Sequence, residues 1–203
     1  MKKHPFVFAL MSSILIFFSC ENQPQNTTSI GIKLEELTVA QIHQAYNDGD
    51  YTAEELVAAY LERIAQKDSI LNAITVLNPD AVDQAQALDQ EFQKTGALRP
   101  LHGIPMIVKD NFITTGMVTT AGALILKDFY AEENAVMVQQ LIDAGAIILA
   151  KSNMAEWAFS PKHTESSTFG TTRNPYNTDH VPAGSSGGTG AAVPKLAATA
   201  AIG

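Results

Sequence analysis

Two stretches of this chain hold residue types that could do chemistry together. One is Lys109, which follows the compact apolar run Ile104, Met106, Ile107 and Val108; the other is Ser185-Ser186 inside VPAGSSGGTGAA, residues 181–192. A lysine at the end of a buried strand is partly desolvated, which disfavours the ammonium and populates the neutral amine, a base. A serine hydroxyl is a poor nucleophile until a neighbour takes its proton, and a neutral amine does that without a histidine. The residues also admit a plainer reading, with Lys109 an exposed strand-end lysine and the serines part of a flexible glycine turn.

Other chemistries fit less well. The histidines, His4, His43, His102, His163 and His180, are scattered and none is paired at a ligand spacing, so no metal and no cofactor is expected. Gly184 to Thr189 lacks the lysine of a phosphate loop, and Gly188 to Val193 lacks the last glycine of a dinucleotide fingerprint. Gly184-Ser185-Ser186-Gly187-Gly188 does fit G-x-S-x-G, the elbow of an α/β-hydrolase esterase with Ser186 as nucleophile. That elbow needs a strand directly before it, and Asn174 to Pro182, with two prolines, does not read as one.

The elements that must position these residues alternate between helix and strand. Thr38 with Gln41 and Thr52 with Glu55 are capping boxes that open two helices, separated by the turn Asn47-Asp48-Gly49-Asp50. In the second helix Leu56, Val57, Tyr60, Leu61 and Ile64 form one apolar stripe. Ala73 to Leu77 reads as a short strand, and Asp80 to Lys94 as a helix burying Ala81, Ala85, Leu88 and Phe92. After the strand that ends at Lys109, a helix is expected from about Glu133 to Ala144, burying Val136, Val138, Leu141 and Ile142 and closed by Gly145. A second buried strand, Ala146 to Ala150, ends at Lys151. This alternation indicates an α/β fold, in which functional groups gather where strands end. Residues 160–190, rich in Ser, Thr, Gly, Asn and Pro, read as long loops.

Five stretches in order, GDYTAEELVAAYLERI, LHGIPMIVKDN, GAIILAKSNMAEWAF, FGTTRNPYN and AGSSGGTGAAV, resemble the amidase signature family of Ser-cisSer-Lys hydrolases. The resemblance covers the chain from about residue 34 to its end. It implies a mixed β-sheet covered by helices, of which this chain would be the front half, and hydrolysis of an amide C–N bond through an acyl-enzyme. It further implies that Lys109 is the catalytic lysine and Ser185, preceded by a cis peptide, the bridging serine. Ser186 would be a loop-structuring hydroxyl, while Lys151, Asn153, Arg173 and Asn174 would build and brace the walls of the site. Ala183 stands where the family has a glycine. The family's acylated serine and oxyanion loop come later than Gly203, so the chain is expected to be a truncated piece, inactive alone. The alternative from another class is a lipid-anchored binding or scaffold module without catalysis. The family's substrates include glutamine for tRNA transamidation, fatty-acid amides, peptide C-terminal amides and small nitrogen compounds, and this part of the sequence does not choose among them.

The N-terminus has its own chemistry. Lys2 and Lys3 precede an apolar core, Phe6 to Phe18, too short to span a bilayer, which needs roughly 20 residues. Residues 1–19 therefore read as a secretory signal. Phe17-Phe18-Ser19-Cys20 resembles a bacterial lipobox, with Cys20 the lipidated residue and an aromatic at Phe17 as a departure. The expected organisation is a signal at 1–19, a polar tether at 20–33 and the amidase domain at 34–203, held at a membrane facing the periplasm or cell exterior. Such export disfavours the tRNA role. Removing residues 1–19 takes Lys2 and Lys3 and no acid, leaving 11 basic against 21 acidic residues, so a nucleic-acid partner is not expected.

Overall fold

The structure, a computed structural model, describes residues 31–195 and 199–203; the predicted signal, Cys20 and most of the predicted tether lie outside them. Helix α1 (Val39–Asp48) and helix α2 (Ala53–Leu71) both open on the capping boxes read from the sequence. In each, the threonine hydroxyl accepts from the N3 amide and the N3 side chain returns to the cap, satisfying two otherwise orphaned amides. Gly49, at φ 74°, ends α1 in the left-handed conformation that a glycine adopts without steric cost. Asp89 joins from α3 (Ala81–Thr95), its two oxygens accepting from the Ala53 and Glu54 amides at 2.8 and 3.0 Å.

The main sheet is mixed, with strand order β1 (Ile74–Leu77), β3 (Ile147–Ser152), β2 (Pro105–Lys109), β6 (Ala200–Ile202). β2 runs parallel to both neighbours, and β1 is antiparallel to β3. Every residue of β2 and β3 is buried: their apolar runs are covered on both faces, and Lys109, Lys151 and Ser152 are buried with them. Strands β4 (Glu165–Ser166) and β5 (Gly170–Thr171) form a separate small hairpin. Helix α5 (Gly187–Lys195) packs across β2, β3 and β6, while α3 and α4 (Val136–Asp143) rest on β3. The core joins Leu56, Val57 and Tyr60 of α2 to Ile107 and Val108 of β2, Ile147 and Leu149 of β3, and Ala191 and Ala192 of α5.

Three expectations are corrected. Helix α4 starts at Val136 rather than Glu133, because Asn134 is tied to the preceding loop, accepting from the Thr115 amide at 2.8 Å and hydroxyl at 2.6 Å. With its start moved, α4 buries Val138 and leaves Val136 73% exposed. Strand β3 continues past Ala150 to Ser152, so Lys151 stands within the strand and is fully buried. Gly187 to Gly190, read as the end of the loop segment 160–190, instead open α5; contact with the sheet outweighs the poor helix propensity of their glycines.

Candidate active site

Lys109 closes β2, and its side chain runs inward: only 5% of the residue is exposed, which excludes the surface-lysine reading. Its Nζ lies 2.8 Å from Ser185 Oγ and 2.7 Å from Ser186 Oγ. Burial lowers the pKa of this amine below the usual lysine range, so the neutral, basic form becomes accessible. The two serines stand just before the N-terminus of α5, and the Gly184–Ser185 peptide is cis. Ser186, expected to serve the loop alone, is as close to the amine as Ser185.

The loop that presents the serines is bound on every side. Thr164 Oγ1 donates to Ala183 O at 2.8 Å and accepts from the Gly187 amide at 3.0 Å, clipping the two ends of the turn together. Gly184 N donates to Pro161 O at 3.1 Å, Ala155 N to Ser185 O at 3.0 Å, and Gly188 N to Asn153 O at 3.1 Å. These approaches leave no room for side chains. A Cβ would stand 2.2 Å from His163 O at Gly184, 2.1 Å from Thr164 Oγ1 at Gly187 and 2.2 Å from Asn153 O at Gly188. The glycines are therefore required for backbone proximity, and the plain flexible-turn reading falls away. At the foot of the site, the hydroxyls of Ser152 and Thr189 lie 2.7 Å apart, linking β3 to α5.

The structure separates the other sequence-selected residues. Asn153 is fully buried and braces the site, donating through Nδ2 to Gly170 O and Thr172 Oγ1, both at 3.0 Å. Lys151 donates to Phe112 O at 2.6 Å and Thr119 Oγ1 at 2.8 Å and pairs with Asp110 at 3.5 Å. Arg173 and Asn174 instead hold the outer loop: Arg173 Nη1 donates to Thr178 O at 3.4 Å and Asn174 Nδ2 to Val181 O at 3.3 Å. No strand precedes Ser186 between residues 172 and 186, so the strand–turn–helix of a hydrolase elbow is not present there. Sequence reasoning missed Thr164 and the Ser152–Thr189 link, each a lone hydroxyl whose partner is distant in sequence. It also missed Asp110, for which the adjacent Lys-Asp at a strand end was an available signal.

Residues 55–203 match the Amidase family, which is most of the chain. This protein belongs to the amidase signature family. Among curated relatives, it is 39% identical over 173 residues to a glutamyl-tRNA(Gln) amidotransferase subunit from Natranaerobius thermophilus, matching 85% of this chain and 35% of that one. Among solved structures, the native peptide amidase from Stenotrophomonas maltophilia superposes with TM-score 0.73 at 41% identity, covering 78% of this chain and 34% of its own. An amidase family protein from Bacillus anthracis str. Ames gives TM-score 0.75 at 37% identity, with coverage of 81% and 35%. The chain thus has the mixed α/β amidase fold over its described core and spans about a third of the length of these relatives.

Proposed function

We propose that Lys109 and Ser185 are the base and the relay of an amide C–N hydrolase whose acylated serine is supplied by a continuation of this chain. The observation that carries the reading is the buried Lys109 amine within hydrogen-bonding distance of Ser185 Oγ. The path of the chain supports it. β6 pairs with β2 through Val108 and Ile202, and continuing that register sets Gly203 beside Lys109. A Cβ at Gly203 would stand 2.8 Å from Thr189 Oγ1 and 3.2 Å from Ser186 Cβ, so Gly203 lies against Ser186 and the first turn of α5.

In this reading the third serine's oxygen attacks the amide carbonyl and its proton passes to Ser185 Oγ, while the Ser185 proton passes to Lys109 Nζ. The C–N bond then breaks, the proton returns through Ser185 to the departing nitrogen, and water releases the acyl group by the same route. Residues 31–203 supply the base and the relay; oxyanion stabilisation, typically worth about 3–4 kcal/mol per donor, would come with the continuation. The chain alone is expected to be inactive. Residues 1–19 are read as an export signal and Cys20 as a lipid acceptor, which favours small or peptide amides over tRNA-linked glutamine chemistry.

The decisive experiment appends a family-type glycine–serine segment and the rest of the fold after Gly203 and screens peptide amides and small amides. Hydrolysis that is lost in Lys109→Ala and Ser185→Ala supports the mechanism; hydrolysis that survives Lys109→Ala sinks it. Export is tested separately, by fatty-acid labelling in a bacterial host that is lost in Cys20→Ala.

A further inference from the structure

Directly after Lys109, the chain enters a buried ionic cluster that the proton relay does not use. Asp110 and Lys151 are both fully buried, with Lys151 Nζ 3.5 Å from Asp110 Oδ1. The three protons of the Lys151 ammonium have three acceptors: that carboxylate, Phe112 O at 2.6 Å and Thr119 Oγ1 at 2.8 Å. Asp110 in turn accepts from the Thr120 amide at 3.2 Å and from the Thr120 hydroxyl. One pair thereby gathers both ends of the 110–120 loop onto β3.

From this cluster, main-chain hydrogen bonds run to both partners of the proposed relay. Towards Lys109, Asp110 N donates to Ser152 O at 3.1 Å and Phe112 N to Lys109 O at 2.9 Å. Towards Ser185, Ala121 N donates to Asp110 O at 3.0 Å, Trp157 N to Ala121 O at 2.9 Å, and Ala155 N to Ser185 O at 3.0 Å. A buried ion pair is weak evidence for stability, since an apolar pair of similar volume is often as good or better. An apolar pair would leave the Phe112 carbonyl, the Thr119 hydroxyl and the Thr120 amide without these partners, and those bonds set the loop's position.

We propose that the Asp110–Lys151 pair is a positioning clasp, which holds Lys109 and the Ser185 loop at relay distance from two sides. This rests on the reading of Lys109 and Ser185 given above. Neither Asp110 nor Lys151 exchanges a proton with substrate.

The test uses the full chain with 13Cε-labelled lysine and needs no turnover. Lys109 is assigned by Lys109→Met, its titration midpoint is read by NMR, and hydrogen exchange is read at the Ala155 amide. Asp110→Asn and the milder Thr119→Val are compared with the parent. Expected is a Lys109 midpoint raised by about one unit or more as the amine becomes better hydrated. Exchange at Ala155 is expected to accelerate by about tenfold or more. Folded variants that keep the parental midpoint and the parental Ala155 protection overturn the clasp. Should Asp110→Asn not fold by circular dichroism, Thr119→Val decides. A parent in which Lys109 titrates like a free lysine overturns the relay reading instead, and the Ala155 exchange rates still decide whether the cluster positions the Ser185 loop.

Discussion

Lys109 and Ser185 are 76 residues apart in the chain, and their side chains meet at 2.8 Å because one ends a parallel strand and the other precedes the helix packed across it. The amine is buried and the proposed relay needs it neutral, which fixes the sign of its expected pH dependence. In a chain extended to carry the nucleophile, amide hydrolysis is expected to rise with pH through a midpoint below the ordinary 10.5 of lysine and then level off. Lys109→Met is expected to lower kcat by about 10²–10⁴-fold, the usual worth of a positioned base, and to abolish that limb. A kcat–pH profile of the two proteins checks both.

The glycines around the serines make a sharper structural prediction, because neighbours only two positions apart should behave oppositely. A Cβ on Gly188 would meet Asn153 O at 2.2 Å, against backbone that cannot give way cheaply, while one on Gly190 meets nothing within 4 Å. Gly188→Ala is expected to destabilise by about 2 kcal/mol or more. Gly190→Ala, on an exposed face of α5, is expected to stabilise by up to about 1 kcal/mol through helix propensity. Urea denaturation of the two variants beside the parent reads the difference.

Why the site is only partly legible in the sequence follows from the range of each signal. The two capping boxes span three residues each and are plain in the sequence, as are the unbroken apolar strands that lead to Lys109 and Lys151. Both readings depend on local pattern. α5 is hidden because Gly187, Gly188 and Gly190 argue against helix locally, and only the sheet beneath them argues for it. Thr164 is hidden for a related reason. A threonine 19 residues from Ala183 gives no sign that its hydroxyl will close the serine turn, since that depends on the intervening hairpin folding back.

The buried pair predicts a stability that depends on alkaline pH. Burial holds the Lys151 pKa down to about 8 against the pull of Asp110, so the unfolded chain, with an ordinary lysine near 10.5, binds that proton more tightly. Stability should therefore rise as pH increases from about 8, since the unfolded state holds the extra proton through that window. Lys109 adds a slope of the same sign, and the buried hydroxyls of Tyr46 and Tyr60, whose pKa values are raised, oppose it above the tyrosine range. The comparison is best made below about pH 9.5, between the parent and Lys151→Met. The variant is expected to show the shallower rise in urea midpoint; equal slopes would mean that Lys151 does not titrate in this window.

Ala183 offers a change that should strengthen the serine loop. Its φ of +63° places an L-residue with a side chain in left-handed backbone. That conformation costs a non-glycine residue about 1–2 kcal/mol, and a glycine gives back part of the relief through its greater freedom in the unfolded chain. Ala183→Gly is therefore expected to stabilise by up to about 1 kcal/mol, seen as a higher urea midpoint with an unchanged slope. The Ala183 carbonyl is the acceptor for Thr164, whose hydroxyl also receives the Gly187 amide, so relaxing the turn should not loosen the clip. Thr164→Val, which removes both bonds while keeping the shape, is the opposing control and is expected to cost about 1–3 kcal/mol. If Ala183→Gly lowered stability while Thr164→Val lowered it as expected, the strain at Ala183 would have to be less than the entropy a glycine adds, and the turn would owe its shape to the clip alone.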